Sequence, residues 1–309
     1  MTGATVGKVA TCGYDNMLLN QRVGLIRAKK EDVLQNYLRN LLLNEKFYSY
    51  CQLMAGGGAQ GNISPSQIQK YEIPLPPLEV QQGIVKQLDS YQKIIDGAKQ
   101  VITHYEPEIR IDPSWERVEL GEVCKKITDG SHFSPSTVDK GYPYITVKDI
   151  VHDEIIFAEC RFINEDDYYK LVKNGCKPQK NDILFSKDGT VGKVTLIDYD
   201  RDFVVLSSLA IVRPNIKRIT PQFLKYILKT DYFFDKAIEN KTGVAIRRIV
   251  LKTLKTIKIP LPPLETQNQI VARIEEEQKL VSANKKLVKT FEQKIKEKID
   301  EVWGERYLP

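Results

Sequence analysis

Two stretches of the chain carry apolar residues at alternating spacings of four and three, which places one continuous seam along a helix. The first seam consists of Ile84, Leu88, Tyr91, Ile95, Ala98, Ile102 and Tyr105. In the second stretch, one seam position holds Ile274, Val281, Val288, Ile295 and Val302. Its other position carries Ile270, Glu277, Asn284, Phe291 and Lys298. The two stretches predict two long helices, and the polar residues in the second seam favour register control or a surface left for another subunit.

A seam of this kind also occurs in core-facing helices of ordinary globular domains. Here both seams follow the same string, Ile-Pro-Leu-Pro-Pro-Leu-Glu, at residues 73–79 and 259–265. Proline fixes φ and pushes the preceding residue away from the helical region, so each helix is expected to begin just after its string. Two long seams at equivalent positions favour two helices that pack on each other.

The proline-rich string is one landmark of an internal repeat, and a second landmark confirms the spacing. Thr-Val-Gly-Lys-Val occurs at residues 5–9 and again at 190–194, an offset of 185 (190 − 5), while the strings are offset by 186 (259 − 73). A nearly constant offset indicates a tandem duplication. Nothing before Thr5 matches the stretch from Trp115 to Asp188, so we expect the first copy to lack its front portion.

The repeat divides the chain into four expected segments: a partial domain at 1–77, a helix at 78–106, a complete domain at 107–263 and a second helix at 264–309. Between the helices, short strands are predicted at residues 144–147, 182–185 and 203–206. A helix is predicted to begin at Thr220, with Pro221 in its first turn and a counterpart at 31–44. The expected fold class is α+β.

Composition limits the number of domains, the kind of partner and the cellular location to be expected. With 309 residues, the chain is long enough for two domains with proper cores. Its net charge of +6 permits a polyanionic partner without requiring one. The five cysteines include no Cys-x-x-Cys pair, which favours reduced thiols over disulfides or zinc. No apolar run approaches the roughly 20 residues of a membrane helix, and the start does not resemble a signal peptide, so we expect a cytoplasmic protein with no membrane partner.

The sequence contains partial matches to enzymatic motifs, but each lacks residues that the chemistry requires. Residues 189–194 resemble part of a phosphate-binding loop, but Lys187 stands where the leading glycine belongs and Val194 replaces the Ser or Thr that magnesium needs. The three histidines include no His-Glu-x-x-His pattern of a zinc hydrolase. We therefore expect a chain without catalytic residues, metal or cofactor of its own.

Three motifs resemble a known family, the specificity (S) subunits of Type I restriction-modification systems. Residues 113–123 resemble the opening of a target-recognition domain from that family. Residues 181–184 leading to 189–193 resemble its middle, and residues 57–64, followed by the proline-rich string and Gln81, resemble its closing stretch. The resemblance covers essentially the whole chain in the family's order, and the first copy departs from it by lacking the front of its domain.

The resemblance implies mixed α/β target-recognition domains that alternate with two long antiparallel coiled-coil helices. Each domain would read half of a split target in double-stranded DNA, and the helices would separate the domains and dock methyltransferase (M) subunits. Those partners would use S-adenosylmethionine to methylate adenine, and an endonuclease (R) subunit using ATP and Mg would cut. Two chains could also form a homodimer through their helices. The alternative is a truncated or silent copy that acts only as a coiled-coil interaction protein or recombination donor.

Candidate DNA contacts lie in three loops of the second copy and in equivalent positions of the first. Lysines and arginines on phosphates fix register, while arginine and amide side chains can read base edges. The second-copy candidates are Thr242, Arg247 and Arg248, then Lys187, Thr190 and Lys193, and finally Ser131, His132 and Lys148. The first-copy candidates are Lys8, Gln60 and Asn62. The alternative interpretation of each loop is a solvated surface without a ligand.

Overall fold

The computed structural model describes residues 5–13, 16–29, 31–56, 61–238 and 248–304. The candidate contacts Gln60, Thr242 and Arg247 lie outside these ranges. The chain separates into two compact units, the first comprising Met1–Tyr105 with Lys279–Pro309 and the second Glu106–Gln278. None of the helices in the described ranges combines the length and apolar character that crossing a membrane requires.

The helices in chain order are α1 Gln35–Leu42, α2 Glu45–Met54, α3 Pro65–Gln69, α4 Leu78–His104, α5 Glu165–Lys173, α6 Pro221–Leu228, α7 Asp231–Ile238, α8 Leu251–Thr256 and α9 Leu264–Trp303. Helices α1 to α4 belong to the first unit and α5 to α8 to the second, while α9 begins in the second and ends in the first. The described part of the first unit contains no β-strand.

In the first unit, α4 and the C-terminal part of α9 pack as an antiparallel pair. Leu88 of α4 shares a buried cluster with Ile299, whereas Ile95 shares one with Val288. Residues farther along α4 therefore contact residues nearer the start of α9, so the two helices run in opposite directions. The expectation of two long helices packed on each other is confirmed for these parts of α4 and α9.

The strands of the second unit are β1 Glu116–Glu119, β2 Cys124–Asp129, β3 Thr137–Val138, β4 Tyr142–Ile145, β5 Ile150–Val151, β6 Glu154–Ile155, β7 Arg161–Ile163, β8 Ile183–Ser186, β9 Val194–Leu196, β10 Val204–Val205, β11 Leu209–Pro214 and β12 Lys258–Leu261. They form two four-stranded sheets, β2-β11-β8-β9 and β10-β4-β7-β3, and two pairs, β1-β12 and β5-β6. The largest core packs α6, α7 and α8 against the sheet β2-β11-β8-β9.

The central strand of that core, β8, has three apolar residues followed by Ser186. All four residues of β8 are buried, which suits a strand paired on both sides. Just before β8, the buried carboxylate of Asp182 accepts two hydrogen bonds from Arg213 of β11, each of 2.7 Å. This hydrogen bonding raises the pKa of Arg213, and the pair holds the start of β8 against β11.

The helix predicted at Thr220 begins as expected. Thr220 Oγ1 accepts a hydrogen bond from the Phe223 amide at 3.3 Å, and Pro221 occupies the first turn. Its first-copy counterpart is shorter than predicted: the Asp32 and Val33 amides close a turn on the Lys29 carbonyl, Leu34 is extended, and α1 begins only at Gln35.

A buried glutamine binds the backbone just before α1. Gln81 of α4 accepts a hydrogen bond from the Leu34 amide at 2.9 Å through Oε1. Its Nε2 donates to the carbonyls of Asp32 (2.9 Å) and Pro76 (2.8 Å). Backbone groups held by a side chain in this way are not available to a longer helix, so α1 cannot extend toward residue 31.

The same arrangement recurs in the second unit at an offset of 186 for every partner. Gln267 of α9 accepts from the Thr220 amide at 2.8 Å and donates to the carbonyls of Arg218 (3.0 Å) and Pro262 (2.9 Å). Both glutamines are fully buried. Helices α6 and α9 also begin 186 residues after α1 and α4. The duplication read from the sequence therefore has a structural counterpart, in which a glutamine ties each long helix to the domain before it.

Candidate nucleic-acid interface

Four short segments of the second unit meet beside the ends of β2 and β8. We call them the loop cluster: residues 129–133, 187–193, 206–208 and 248–249. The Ser131 amide donates to the Val205 carbonyl of β10 at 2.7 Å, and the Ser207 amide donates to the Ser131 carbonyl at 2.8 Å. The Lys187 amide donates to the Ser208 carbonyl at 2.9 Å, and the Ile249 amide donates to the Lys187 carbonyl at 2.7 Å. Backbone hydrogen bonds thus hold the cluster together.

Gly130 allows this close approach. A Cβ atom on Gly130 would lie 2.2 Å from the carbonyl oxygen of Val205 and 2.5 Å from that of Leu206. Both atoms belong to backbone, so no side-chain rotation could relieve the contact. The turn after β2 can lie against β10 only because residue 130 has no side chain.

A buried ion pair lies under the cluster. Lys187 is 1% exposed, and its Nζ lies 3.1 Å from Asp129 Oδ1. The other oxygen of Asp129 lies 3.1 Å from Nε2 of His132, whose side chain is 63% exposed. In this structure the Lys187 ammonium is therefore not presented to a ligand. It compensates the charge of Asp129, which in turn orients the exposed imidazole.

Arg248 lies at the edge of the same cluster. Its backbone pairs with that of Asp188 in an isolated antiparallel bridge, and its Nε lies 3.9 Å from Asp188 Oδ2. The Arg248 side chain is 54% exposed and the Asp188 side chain 42%. An ion pair this long and this exposed holds the arginine weakly, so the guanidinium can exchange Asp188 for another anion at low cost.

The Lys193 ammonium is bound by other groups of the protein, as that of Lys187 is, whereas Lys148 is exposed, as Arg248 is. Lys193 Nζ donates to the carbonyls of Val147 (3.1 Å) and Ile150 (2.5 Å). These two hydrogen bonds hold residues 147–150 against the turn after β8. Lys148 and Thr190 are exposed on the two segments that Lys193 joins. The patches predicted separately from the sequence therefore adjoin one another.

The turn after β2 is rigid at its base and exposed at its tip. The buried Ser131 hydroxyl donates to the Phe133 carbonyl at 2.5 Å, and the Tyr144 hydroxyl donates to the same carbonyl at 3.1 Å. Burial raises the pKa of Tyr144, which keeps it a donor. Ser131 thus supports the turn, while His132 and the 52% exposed Phe133 project from it. The sequence reasoning did not single out Asp129 or Phe133, because their roles depend on long-range contacts.

Two of the first-unit candidates are described. Lys8 and Asn62 are both exposed. Asn62 is the counterpart of Arg248 at the offset of 186, and each lies just before a buried isoleucine. The described residues of the chain contain no group of three or more His, Cys, Asp or Glu side chains placed to hold a metal ion.

Comparisons with known proteins identify the family that the chain matches. Residues 1–104 and 113–299 match the family described as Type I restriction modification DNA specificity domain. The chain is 23% identical over 297 residues to the Type I restriction enzyme EcoBI specificity subunit of Escherichia coli, covering 84% of this chain and 62% of that protein. It is 28% identical over 329 residues to the putative type I restriction enzyme MjaX specificity subunit of Methanocaldococcus jannaschii, covering 95% and 73%.

A solved structure shares the fold. It is described as the structural basis of complex assembly and conformational transition of the type I R-M system, and one of its chains is similar to this one with a TM-score of 0.58 and 22% identity. The likeness covers 92% of this chain and 74% of that one. It confirms the expected α+β architecture with two long helices. The alternative of a silent copy is not favoured by these matches.

Proposed function

The chain belongs to the family of Type I restriction modification DNA specificity domains, and from this premise we propose that it is the sequence-reading subunit of such a system. It binds a defined sequence in double-stranded DNA and directs partner subunits to that site. The observation that carries the proposal is the loop cluster of the second unit, where exposed basic and polar side chains stand on a rigid base.

The exposed members of the cluster are suited to DNA. Arg248 can donate two parallel hydrogen bonds to guanine or bind a phosphate, and His132 can contact a base edge or a phosphate. Thr190 supplies a hydroxyl, and Lys148, on the adjoining segment that Lys193 binds, supplies a charge for the DNA backbone. Lys187, Lys193 and Ser131 act through their neighbours: they fix the positions of the side chains that make contact.

Rigidity of the base favours sequence reading over mere charge attraction. Discrimination between bases requires donors and acceptors held in fixed positions, whereas a mobile basic tail binds any phosphate backbone. The glycine contact with β10, the Lys187–Asp129 pair and the two hydrogen bonds of Lys193 each remove freedom from the loops. The surface of the cluster therefore has the properties of a reader.

The chemistry belongs to partners in this proposal. The chain itself is not an enzyme: M subunits bind S-adenosylmethionine and methylate adenine, and an R subunit uses ATP and Mg to cut. The M subunits dock on the long helices. Co-expression of the chain with the M subunits, followed by size-exclusion chromatography, tests this assignment. We expect a stable complex, and a monodisperse chain with no affinity for M would count against it.

Binding experiments on the purified complex test the reader. Selection from random duplexes gives the target, and competition then compares the target with a scrambled duplex. Arg248→Ala should weaken target binding by about 1–3 kcal/mol if Arg248 reads a base, with little effect on the scrambled duplex. If it binds only phosphate, both duplexes should lose affinity equally.

A matched control removes one positive charge elsewhere in the same unit. Lys125 is exposed near the other end of β2, about 13 Å along the strand from Asp129. Lys125→Ala should leave the preference for the target unchanged. Unchanged target binding in Arg248→Ala and His132→Ala would remove the loop cluster from the interface.

A further inference from the structure

Phe133 is the exposed apolar side chain of the loop cluster. It is 52% exposed at the tip of the turn after β2. The other large apolar residues of the cluster, all of which the structure describes, are at least partly buried: Val191 and Leu206 pack against hydrophobic cores, and Ile249 is 1% exposed. Single exposed apolar residues are common on proteins, so exposure alone does not imply a ligand. What distinguishes Phe133 is how it is held.

The backbone of Phe133 is fixed on both sides. Its amide donates to Ser131 Oγ at 3.1 Å, and its carbonyl accepts from Ser131 Oγ at 2.5 Å and from the Tyr144 hydroxyl at 3.1 Å. Both partners are buried and belong to the base of the cluster. The ring therefore projects from a fixed point beside the exposed imidazole of His132, as a side chain that discriminates between bases requires.

A lysine lies over one face of the ring. Lys170 Nζ of α5 is 5.0 Å from the centroid of the Phe133 ring, a distance at which the aromatic face attracts an ammonium. An apolar wedge that enters the DNA stack lies between two bases and needs both of its faces. Because Lys170 covers one face, the ring offers its other face and its edge. This arrangement favours contact with the edge of a base pair over insertion between base pairs.

The chemistry of the DNA grooves identifies the group that such a ring would contact. Base edges present hydrogen-bond donors and acceptors, for which a phenyl ring is a poor partner. The 5-methyl group of thymine is the apolar exception, and it lies in the major groove. Packing this methyl group against the ring removes apolar surface of both from water, which is favourable.

We propose that Phe133 is a specificity-determining residue that reads a thymine of the target through the 5-methyl group in the major groove. The inference rests on the proposed function, since it requires that the loop cluster faces DNA. It adds an apolar contact to the hydrogen bonds expected from Arg248 and His132. It also requires an A·T pair in the part of the target that the second unit reads.

Deoxyuridine scanning tests the contact without any change in the protein. Each thymine of the selected target is replaced in turn by deoxyuridine, which removes only the methyl group, and the duplexes compete for the complex of the chain with its M subunits. We expect a position at which the replacement weakens binding about fourfold, the factor that corresponds to about 0.8 kcal/mol for one buried methyl group.

Variants of Phe133 connect that position with the ring. In Phe133→Ala, thymine and deoxyuridine at that position should bind equally, whereas Phe133→Leu keeps an apolar side chain and should retain a preference for thymine. Ile216→Ala is the matched control, because Ile216 is 55% exposed and lies beyond the other end of β11. Its removal should leave the fourfold ratio unchanged.

The outcomes separate this inference from the proposed function. A complex that discriminates its target yet tolerates deoxyuridine at every position would overturn the inference alone, as would a target without thymine or a fourfold ratio that persists in Phe133→Ala. Loss of the M subunits from the Phe133→Ala complex in size-exclusion chromatography would assign the ring to a protein contact and would also overturn it. A wild-type complex that prefers no sequence would refute the proposed function, and the inference with it.

Discussion

The buried glutamines at the start of the long helices give the most quantitative prediction. Gln267→Ala removes the side chain that satisfies one backbone amide and two carbonyls, those of Thr220, Arg218 and Pro262. Each hydrogen bond contributes about 0.5–1.5 kcal/mol net. The variant should therefore lower the free energy of unfolding by about 2–4 kcal/mol, a large share of the roughly 5–15 kcal/mol typical of folded proteins.

Urea denaturation followed by circular dichroism measures this loss. Gln269→Ala is the control, because Gln269 is an exposed glutamine on the same helix and its loss should be close to neutral. Gln81→Ala should cost about as much as Gln267→Ala, since its three hydrogen bonds are equivalent. The two glutamines share no partner, so the double variant should be additive within about 0.5 kcal/mol. A Gln267→Ala variant as stable as Gln269→Ala would refute the reasoning.

Three further predictions concern the second unit. Gly130→Ala should destabilise it strongly, since the added Cβ would lie 2.2 Å from a carbonyl oxygen of β10, and thermal unfolding measures the shift. Arg213→Met should cost about 3–5 kcal/mol in urea denaturation, because the buried Asp182 side chain would lose its ion-pair partner and two of its hydrogen bonds. Burial raises the pKa of Cys124 to about 12 and so lowers its thiolate fraction; iodoacetamide at pH 8 should modify the exposed Cys12 and spare Cys124, as peptide mass spectrometry would show.

Features set by nearby residues could be predicted from the sequence. The seams predicted α4 and α9, because helical periodicity places residues three and four apart on one face. Both helices begin one residue after the last proline of their strings, at Leu78 and Leu264. The cap at Thr220 follows from a local hydrogen bond as well. These signals do not depend on which distant elements come together.

The candidate site could be predicted only in part, since its geometry depends on strand pairing. The sequence offered Lys187 and His132 as separate contacts, but pairing of β2 with β11 and of β11 with β8 brings both to Asp129. Nothing in the residues around Lys187 indicates that its charge is compensated 58 positions earlier (187 − 129). Gln81 belonged to a recognised motif, but the role of its amide appeared only with the fold.

The expectation about the front of the first copy stays a prediction. We expect residues 1–77 to be loosely packed, because the apolar side chains of Leu18, Leu19, Val23 and Leu25 lack an opposing layer. All four side chains are at least half exposed, with Leu18 at 99%. Limited proteolysis would measure the packing, and we expect cleavage near these residues before any cleavage in the second unit.

The most direct test of the account is a map of adenine methylation in a host without methylation of its own, carrying this chain together with its M subunits. The account predicts methylation at one defined sequence, present only when the chain is expressed. Arg248→Ala with His132→Ala should abolish or relax that sequence, while Lys125→Ala should leave it intact. Methylation at the same sequence without the chain, or an unchanged sequence in the double variant, would contradict the claim that the loop cluster reads DNA.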